Sequence, residues 1–244
     1  MARPPARRTS GQVSLDRALS KLRIASRSIA GEWITAGRVR VDGRVIRDPA
    51  HPVTPEKIRL EVDGAAVGRR AWRTIALNKP RGTVTTRRDP EGRRTVFDVL
   101  GAEGTALVAV GRLDLATTGL LILTTDTQLA NQLSDPAAGI VRRYAVTVRG
   151  HLSDESAARM TGGIGGLRAD AVSVRKRSKR ETHLIVELTE GKNREIRRLC
   201  GACGHEVTAL KRLAFGGVEL GDLRPGEWRE LSRDEMNAAF ARPA

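Results

Sequence analysis

The spacing of apolar residues predicts two helices and a β-hairpin near the N-terminus. Leu15–Leu22 places apolar side chains at helical spacing. A second helix is predicted to begin at Ser26, an N-cap residue, and to end at Gly37. Valine then alternates with arginine over residues 38–46, and the Asp-Gly pair at 42–43 is typical of a hairpin turn. Alternation over Lys57–Val62 could add a third strand.

Farther along, short apolar runs and two-residue alternation predict several strands. Val108–Val110 and Leu120–Leu123 are short enough to be buried strands, and Arg142–Gly150 alternates with Tyr144 on its apolar face. Helices are predicted after Asp126, over residues 152–160, and from an Asn193 cap to Gly204.

These patterns divide the chain into four parts. Residues 1–12 lack periodicity and are rich in arginine and proline, which predicts a disordered basic tail. We expect a small domain over residues 13–62, a linker of glycine and small residues over 63–71, and a larger domain over 72–240.

Charge narrows the class of partner. The 244 residues carry a net charge of +15, and residues 1–62 alone hold 13 Lys or Arg against 6 Asp or Glu. This excess indicates a polyanion, either nucleic acid or an anionic membrane. No apolar run approaches the ~20 residues that span a bilayer, so nucleic acid is favoured. Two cysteines are too few for a disulfide framework, and we expect a cytoplasmic protein.

A polar loop between the two buried strands holds Arg112 and Asp114. An isolated aspartate in a loop most often bonds its own backbone. Here, however, Gly111–Asp114, Thr117, Gly119 and Thr124–Thr125 together resemble the catalytic signature of ribosomal RNA pseudouridine synthases.

The likeness extends over nearly the whole chain. Asn78–Gly82, Gly191–Leu199 and Leu210–Arg212 resemble further elements of that family, and residues 13–62 resemble an S4-type RNA-binding domain. The subgroup is therefore the S4-domain-containing one. Ala116 and Thr127 depart from the family pattern beside the signature. The resemblance implies an α+β catalytic domain around a mainly antiparallel sheet, which agrees with the absence of regular βαβ units.

The resemblance also implies roles for individual residues. Asp114 is the expected catalytic carboxylate, Tyr144 the active-site tyrosine, and Arg197 the arginine that pairs with Asp114. The expected substrate pocket consists of Arg112, Leu113, Ile196 and Leu210. The candidate RNA-binding residues are Arg17, Lys21, Arg27, Arg38, Arg40, Lys79, Arg81, Lys192, Arg194, Arg198, Lys211 and Arg212.

No cofactor is expected. Cys200 and Cys203 precede His205, but a zinc site needs about four ligands and both thiols fall on an apolar helix stripe. A nucleotide cofactor is not expected either, because no glycine-rich strand-to-helix unit with a ribose-binding acid occurs. The expected partner is ribosomal RNA or a pre-ribosomal particle, bound by a monomer.

The implied reaction converts a uridine to pseudouridine, with Asp114 attacking the ribose C1′, attacking the uracil ring, or stabilising the departing ring. Large-subunit RNA is the preferred target and small-subunit RNA the second. Two alternatives stay open: a non-enzymatic RNA-binding or ribosome-assembly protein, and, more weakly, a DNA-binding protein. Joint presence of Asp114, Tyr144 and Arg197 favours the enzyme.

Overall fold

The chain folds around two hydrophobic cores. The computed structural model describes residues 11–68 and 71–241, so most of the predicted tail over residues 1–12 lies outside the described residues. One unit comprises the described residues up to Arg73, with Gly101–Val108 and Thr124–Thr127; the second comprises the others. No helix within the described ranges is long and apolar enough to cross a membrane.

The first unit contains the predicted helices and hairpin. Its elements are β1 (Val13–Ser14), α1 (Leu15–Lys21), α2 (Arg27–Thr35), β2 (Val39–Val41), β3 (Arg44–Val45), β4 (Pro52–Val53), β5 (Leu60–Val62) and β6 (Ala65–Val67). Ser26 caps α2, because its hydroxyl accepts a hydrogen bond from the Ile29 amide. Apolar residues of both helices pack with Val39 and Leu60 of the sheet. This core leaves the arginines between the apolar strand positions exposed.

The predicted linker over residues 63–71 is wrong in its first half. Asp63 and Gly64 form a turn with positive φ, and Ala65–Val67 then pairs antiparallel with β5. The chain therefore continues the four-stranded sheet, in the order β3-β2-β5-β6. Glycine and small residues are typical of a linker, but a hairpin at the edge of a sheet tolerates them equally well.

The second unit is built on a large sheet with helices. Its strands are β7 (Thr74–Lys79), β8 (Val108–Ala109), β9 (Thr118–Thr124), β10 (Arg142–Arg149), β11 (Ala171–Arg177), β12 (Glu181–Leu188), β13 (Val207–Phe215), β14 (Val218–Glu219) and β15 (Trp228–Glu230). Its helices are α3 (Val96–Leu100), α4 (Thr127–Ser134), α5 (Asp154–Gly162), α6 (Glu195–Ala202) and α7 (Arg233–Phe240), with a 3-10 turn at Pro136–Ala138. A further 3-10 turn, Gly101–Gly104, belongs to the first unit.

The sheet order is β11-β12-β10-β13-β9-β7-β15, with β14 beside β13 and β8 beside β9. Strand β13 runs parallel to β9, whereas β10, β11, β12 and β14 pair antiparallel with their neighbours, as does β15 with β7. The α+β class with a mainly antiparallel sheet is confirmed. Alternating burial along β10 puts Arg142 and Tyr144 on the same buried face.

Gly119 allows β9 and β13 to meet closely. Its φ is +99°, and a Cβ there would lie 2.7 Å from the Arg212 backbone nitrogen and would also clash with the Arg212 carbonyl oxygen. Only glycine fits this conformation and this approach. The close pairing brings the loop before β9 next to the β13 residues Leu210 and Arg212.

Helix α6 begins differently from the prediction. The N-cap position is Arg194 rather than Asn193, and no side chain caps the helix there. The apolar stripe is confirmed for Ile196, Leu199 and Cys200, which are buried. Cys203 is the C-cap residue and is only half-buried, so the helix ends before the predicted Gly204.

Candidate active site

The loop that carries Asp114 is held by hydrogen bonds from several elements. The Gly111 amide donates to Ser134 Oγ at 2.8 Å, and the Gly82 amide donates to the Leu115 carbonyl at 2.9 Å. The Thr85 hydroxyl lies 3.0 Å from the Leu113 carbonyl oxygen and 3.2 Å from its amide nitrogen. Hydrogen bonds of this kind keep the loop rigid, so the geometry of a functional side chain on it is fixed before a substrate binds.

Lys79 supports the same loop through hydrogen bonds from its side chain. Its side chain is fully buried, and Nζ donates to the Thr117 carbonyl at 2.8 Å and to the Pro80 carbonyl at 3.1 Å. Burial lowers the pKa of Lys79 to about 8, although the nearby Asp114 carboxylate acts to raise it. The predicted RNA contact of Lys79 is therefore wrong, because its ammonium group is fully buried and, unlike the cleft residues described below, does not line the cavity at Asp114. Lys79 instead places a positive charge within electrostatic reach of Asp114.

Two arginines surround the Asp114 carboxylate. Arg194 Nη1 lies 3.8 Å from Asp114 Oδ2, an ion pair in which both side chains are partly exposed. Arg194 has φ +50°, a left-handed conformation that is uncommon for a residue with a side chain. Such strain persists only where the surrounding structure enforces it, and it is enriched at functional sites.

Arg197, the partner expected from the sequence, takes a different position. Its Nη1 donates to the Val207 carbonyl at 3.0 Å, which ties α6 to β13, and its Nε is buried without a partner among the described residues. Burial and the Arg194 charge lower the pKa of Arg197, whereas Asp114 acts to raise it. The direct ion pair is thus made by Arg194, and Arg197 acts on Asp114 through its electric field.

A cleft of about 380 Å³ opens at Asp114. This volume is within the range of small-ligand sites. Tyr144 lies in its wall with only 9% of its surface exposed. The four predicted pocket residues, Arg112, Leu113, Ile196 and Leu210, all line the cleft.

The floor of the cleft holds charged residues that the sequence analysis did not place there. Arg142, Glu195 and Arg212 line it and are each more than nine-tenths buried. Arg142 Nη1 donates to the Thr189 carbonyl at 2.6 Å. Its guanidinium carbon lies 5.1 Å from the centroid of the Phe215 ring. The signal available in the sequence was the shared face of Arg142 and Tyr144, two residues apart on one strand.

Glu195 is buried at the start of α6. Its Oε2 accepts a hydrogen bond from the Lys192 amide at 3.2 Å, and its Oε1 has no partner among the described residues. Burial raises the pKa of Glu195, partly offset by the Lys192 hydrogen bond. Nothing in the sequence distinguishes it from a surface helix residue.

Most candidate RNA-binding residues are exposed. In the first unit these are Arg17, Lys21, Arg27, Arg38 and Arg40, and in the second Arg81, Lys192, Arg194, Arg198 and Lys211. Arg27 is paired with Asp16, and Arg38 with Asp63. Arg212 is 3% exposed, so the structure assigns it to the cleft floor rather than to an outer surface.

The site presents a carboxylate, arginines and an aromatic wall. Across the described ranges, no group of three or more His, Cys, Asp or Glu could hold a metal ion. Burial raises the pKa of the Cys200 thiol to about 12, so this sulfur stays protonated. A carboxylate in such a setting is chemically able to act as a nucleophile or as a general acid or base.

Two family models match the chain. Residues 73–202 match the model described as RNA pseudouridylate synthase, and residues 13–58 match the S4 domain. The matched segment of the first model contains Asp114, Tyr144 and Arg197.

Known proteins agree with these models. An uncharacterized RNA pseudouridine synthase of Aquifex aeolicus is 37% identical over 94% of both chains. The ribosomal large subunit pseudouridine synthase B of Pseudomonas aeruginosa is 38% identical over 91% of this chain and 60% of its own length. A solved pseudouridylate synthase, 24% identical, covers 94% of this chain and all of its own with a TM-score of 0.63, which supports the fold.

Proposed function

Because the chain belongs to the RNA pseudouridine synthase family and carries an N-terminal S4 domain, we propose that it isomerises one specific uridine of ribosomal RNA. Large-subunit RNA is the preferred substrate, since a similar protein of Pseudomonas aeruginosa is named for that subunit. Small-subunit RNA is the second candidate.

The reaction breaks the bond between uracil N1 and ribose C1′ and forms one between C5 and C1′. A proton leaves C5 and N1 gains one, so no atom is added or lost overall. An oxidant or a group donor is not needed. The protein has to supply a carboxylate, a pocket that lets the detached ring turn, and a proton acceptor.

Asp114 is proposed as the catalytic carboxylate, acting on C1′ or on the ring. Its position at the cleft is the observation that carries this proposal. Arg194, Arg197 and Lys79 place three cationic side chains around it. These positive charges attract the carboxylate group of Asp114 electrostatically.

Arg194 and Arg197 should contribute differently. Arg194→Gln removes a partly exposed ion pair, of a kind worth about 1 kcal/mol or less. Arg197→Gln instead removes a hydrogen bond to β13 and a half-buried charge near Asp114. We expect the second substitution to lower the rate of pseudouridine formation at least tenfold more than the first, and equal losses would contradict the assignment.

A uridine inside folded RNA cannot present C1′ or C5 to Asp114, so the nucleotide must leave its stack. Flipping costs a few kcal/mol, which stacking on an aromatic side chain can offset. Tyr144 is proposed for this stacking, with Leu113, Ile196 and Leu210 as apolar contacts. Exposed cations of the S4 domain, such as Arg17, would bind the phosphates.

The test maps pseudouridines in the ribosomal RNA of cells with and without this protein. A single site should be lost in the deletion strain, be restored by the wild-type chain, and stay absent with Asp114→Asn. A protein that only binds RNA would leave every pseudouridine in place. Loss from small-subunit RNA alone would refute the subunit preference but not the activity.

A further inference from the structure

Four buried polar side-chain atoms lack a hydrogen-bond partner among the described residues. They are Thr117 Oγ1, Glu195 Oε1, Arg197 Nε and Arg212 Nη2. Thr117, Glu195 and Arg212 all line the cleft at Asp114, and each is at least 97% buried. Folded proteins rarely leave buried polar atoms unpaired. Their concentration in one cleft indicates a ligand with a polar edge of its own.

Glu195 and Arg212 each use one side-chain atom in a hydrogen bond within the protein and keep another polar atom without a partner among the described residues. Glu195 uses Oε2 to accept from the Lys192 amide, which leaves Oε1 as an acceptor. Arg212 uses Nε to donate to the Leu120 carbonyl at 2.6 Å, which leaves Nη2 as a donor. The cleft floor therefore offers one fixed acceptor and one fixed donor.

These two side chains lie around a common neighbour. The charges of both Glu195 and Arg212 act on the pKa of the buried Arg142 guanidinium, after the larger effect of its own burial. Arg142 and Arg212 each lie within 5.3 Å of the Phe215 ring centroid, measured from the guanidinium carbon. Glu195 and Arg212 therefore both lie near Arg142 in the lining of the cleft.

Uracil carries a matching pattern on its pairing edge: a carbonyl oxygen on either side of the N3–H group. We propose that Glu195 and Arg212 read this edge of the flipped base, with Oε1 accepting from N3–H and Nη2 donating to an adjacent carbonyl oxygen. The inference rests on the proposed function, because it takes uridine as the occupant. It makes both residues determinants of base specificity.

The arrangement would also exclude cytosine. Cytosine presents a lone pair at N3, which the Glu195 carboxylate repels, and it replaces one of the two flanking carbonyl oxygens by an amino group. Repulsion of the wrong ligand is as effective a source of specificity as attraction of the right one. A methyl group on N3 would likewise remove the donor and clash with Oε1.

The test measures the affinity of the full chain for uridine 5′-monophosphate and for its N3-methyl derivative by calorimetry. Wild type should bind the unmethylated nucleotide about tenfold or more tightly, since a hydrogen bond to a buried charge is lost. In Glu195→Ala, which lacks both the acceptor and the clash, this ratio should fall close to one. Arg212→Met should weaken both nucleotides equally and preserve the ratio.

Glu195→Gln separates recognition from folding. Its amide oxygen can still accept from the Lys192 amide, so its NH₂ group must replace Oε1. That donor faces N3–H of uracil but matches N3 of cytosine, and the preference for uridine over cytidine 5′-monophosphate should shrink or reverse. Glu219→Gln, an exposed residue outside the cleft, is the matched charge control and should change neither ratio.

Three results would overturn the proposal. They are a wild-type ratio near one, no measurable affinity for uridine 5′-monophosphate, and an unchanged ratio in Glu195→Ala. Each is independent of pseudouridine mapping in ribosomal RNA. An active enzyme with a ratio near one would refute this reading of the base edge alone, and a chain with the expected ratios but no activity would refute only the proposed function.

Discussion

The buried ammonium of Lys79 makes a quantitative prediction about stability. Its pKa falls from 10.5 to about 8 in the folded chain, chiefly through burial. Because one pKa unit corresponds to about 1.4 kcal/mol, keeping Lys79 protonated in the fold costs about 3 kcal/mol. The hydrogen bonds from Lys79 to the carbonyl groups of Pro80 and Thr117 partly offset this cost.

The sign of the pH dependence follows from proton counts. Between about pH 8 and 10.5, the unfolded chain keeps the Lys79 proton while the folded chain has released it. Stability from this group therefore rises with pH across that window, because the unfolded state binds more protons. Lys79→Met has no proton to release, and its stability lacks this rise.

Chemical denaturation of both proteins at pH 7 and near pH 11 measures the effect. The stability of wild type relative to Lys79→Met should increase by about 3 kcal/mol between the two pH values. Other titrating groups cancel in the difference. Lys211→Met, at an exposed position, is the control and should show a constant difference. A constant difference for Lys79→Met as well would refute the burial argument.

Three further predictions concern the pairing of β9 with β13, the Tyr144 side chain in the wall of the cleft, and the RNA-binding surface. Gly119→Ala should destabilise the fold by about 2–5 kcal/mol in thermal unfolding, because it combines positive φ with a backbone clash; unchanged stability would contradict the close pairing of β9 and β13. Tyr144→Phe keeps the stacking ring but removes the hydroxyl group, so it should retain RNA binding and slow proton removal from C5 in single-turnover isomerisation; an unchanged rate would mean that the hydroxyl takes no part in the reaction. Changing Arg17, Lys21 and Arg40 together to Gln should reduce the slope of log affinity against log salt by about 2–3, and an undiminished slope would remove these side chains from the phosphate contacts.

The sequence predicted those parts of the site that follow local patterns. The polar loop between two apolar runs places Asp114 shortly before the buried strand β9, and alternation along β10 places Tyr144 on the buried face. The same alternation puts Arg142 on that face, two residues earlier. A charged side chain is usually exposed to solvent. For Arg142, the two-residue period of the strand predicts the position better than the charge of the side chain does.

Other features depend on contacts between distant segments. Lys79 ends a strand and precedes proline, which is also typical of a solvated turn. Its burial depends on a contact with Thr117, 38 residues later, whose carbonyl oxygen accepts a hydrogen bond from the Lys79 ammonium group. Glu195 similarly becomes a cleft residue only because the Arg194 turn directs α6 toward β13. Neither relation has a period or a spacing that could reveal it.

The most direct test of the central claim is the rate of pseudouridine formation by Asp114→Asn on unmodified ribosomal RNA transcripts, measured beside the affinity for the same RNA. Asparagine keeps the size of the side chain but removes the ionised oxygen, so binding should stay within about twofold while product formation becomes undetectable. Pseudouridine formation by this variant at a measurable fraction of the wild-type rate would contradict the account.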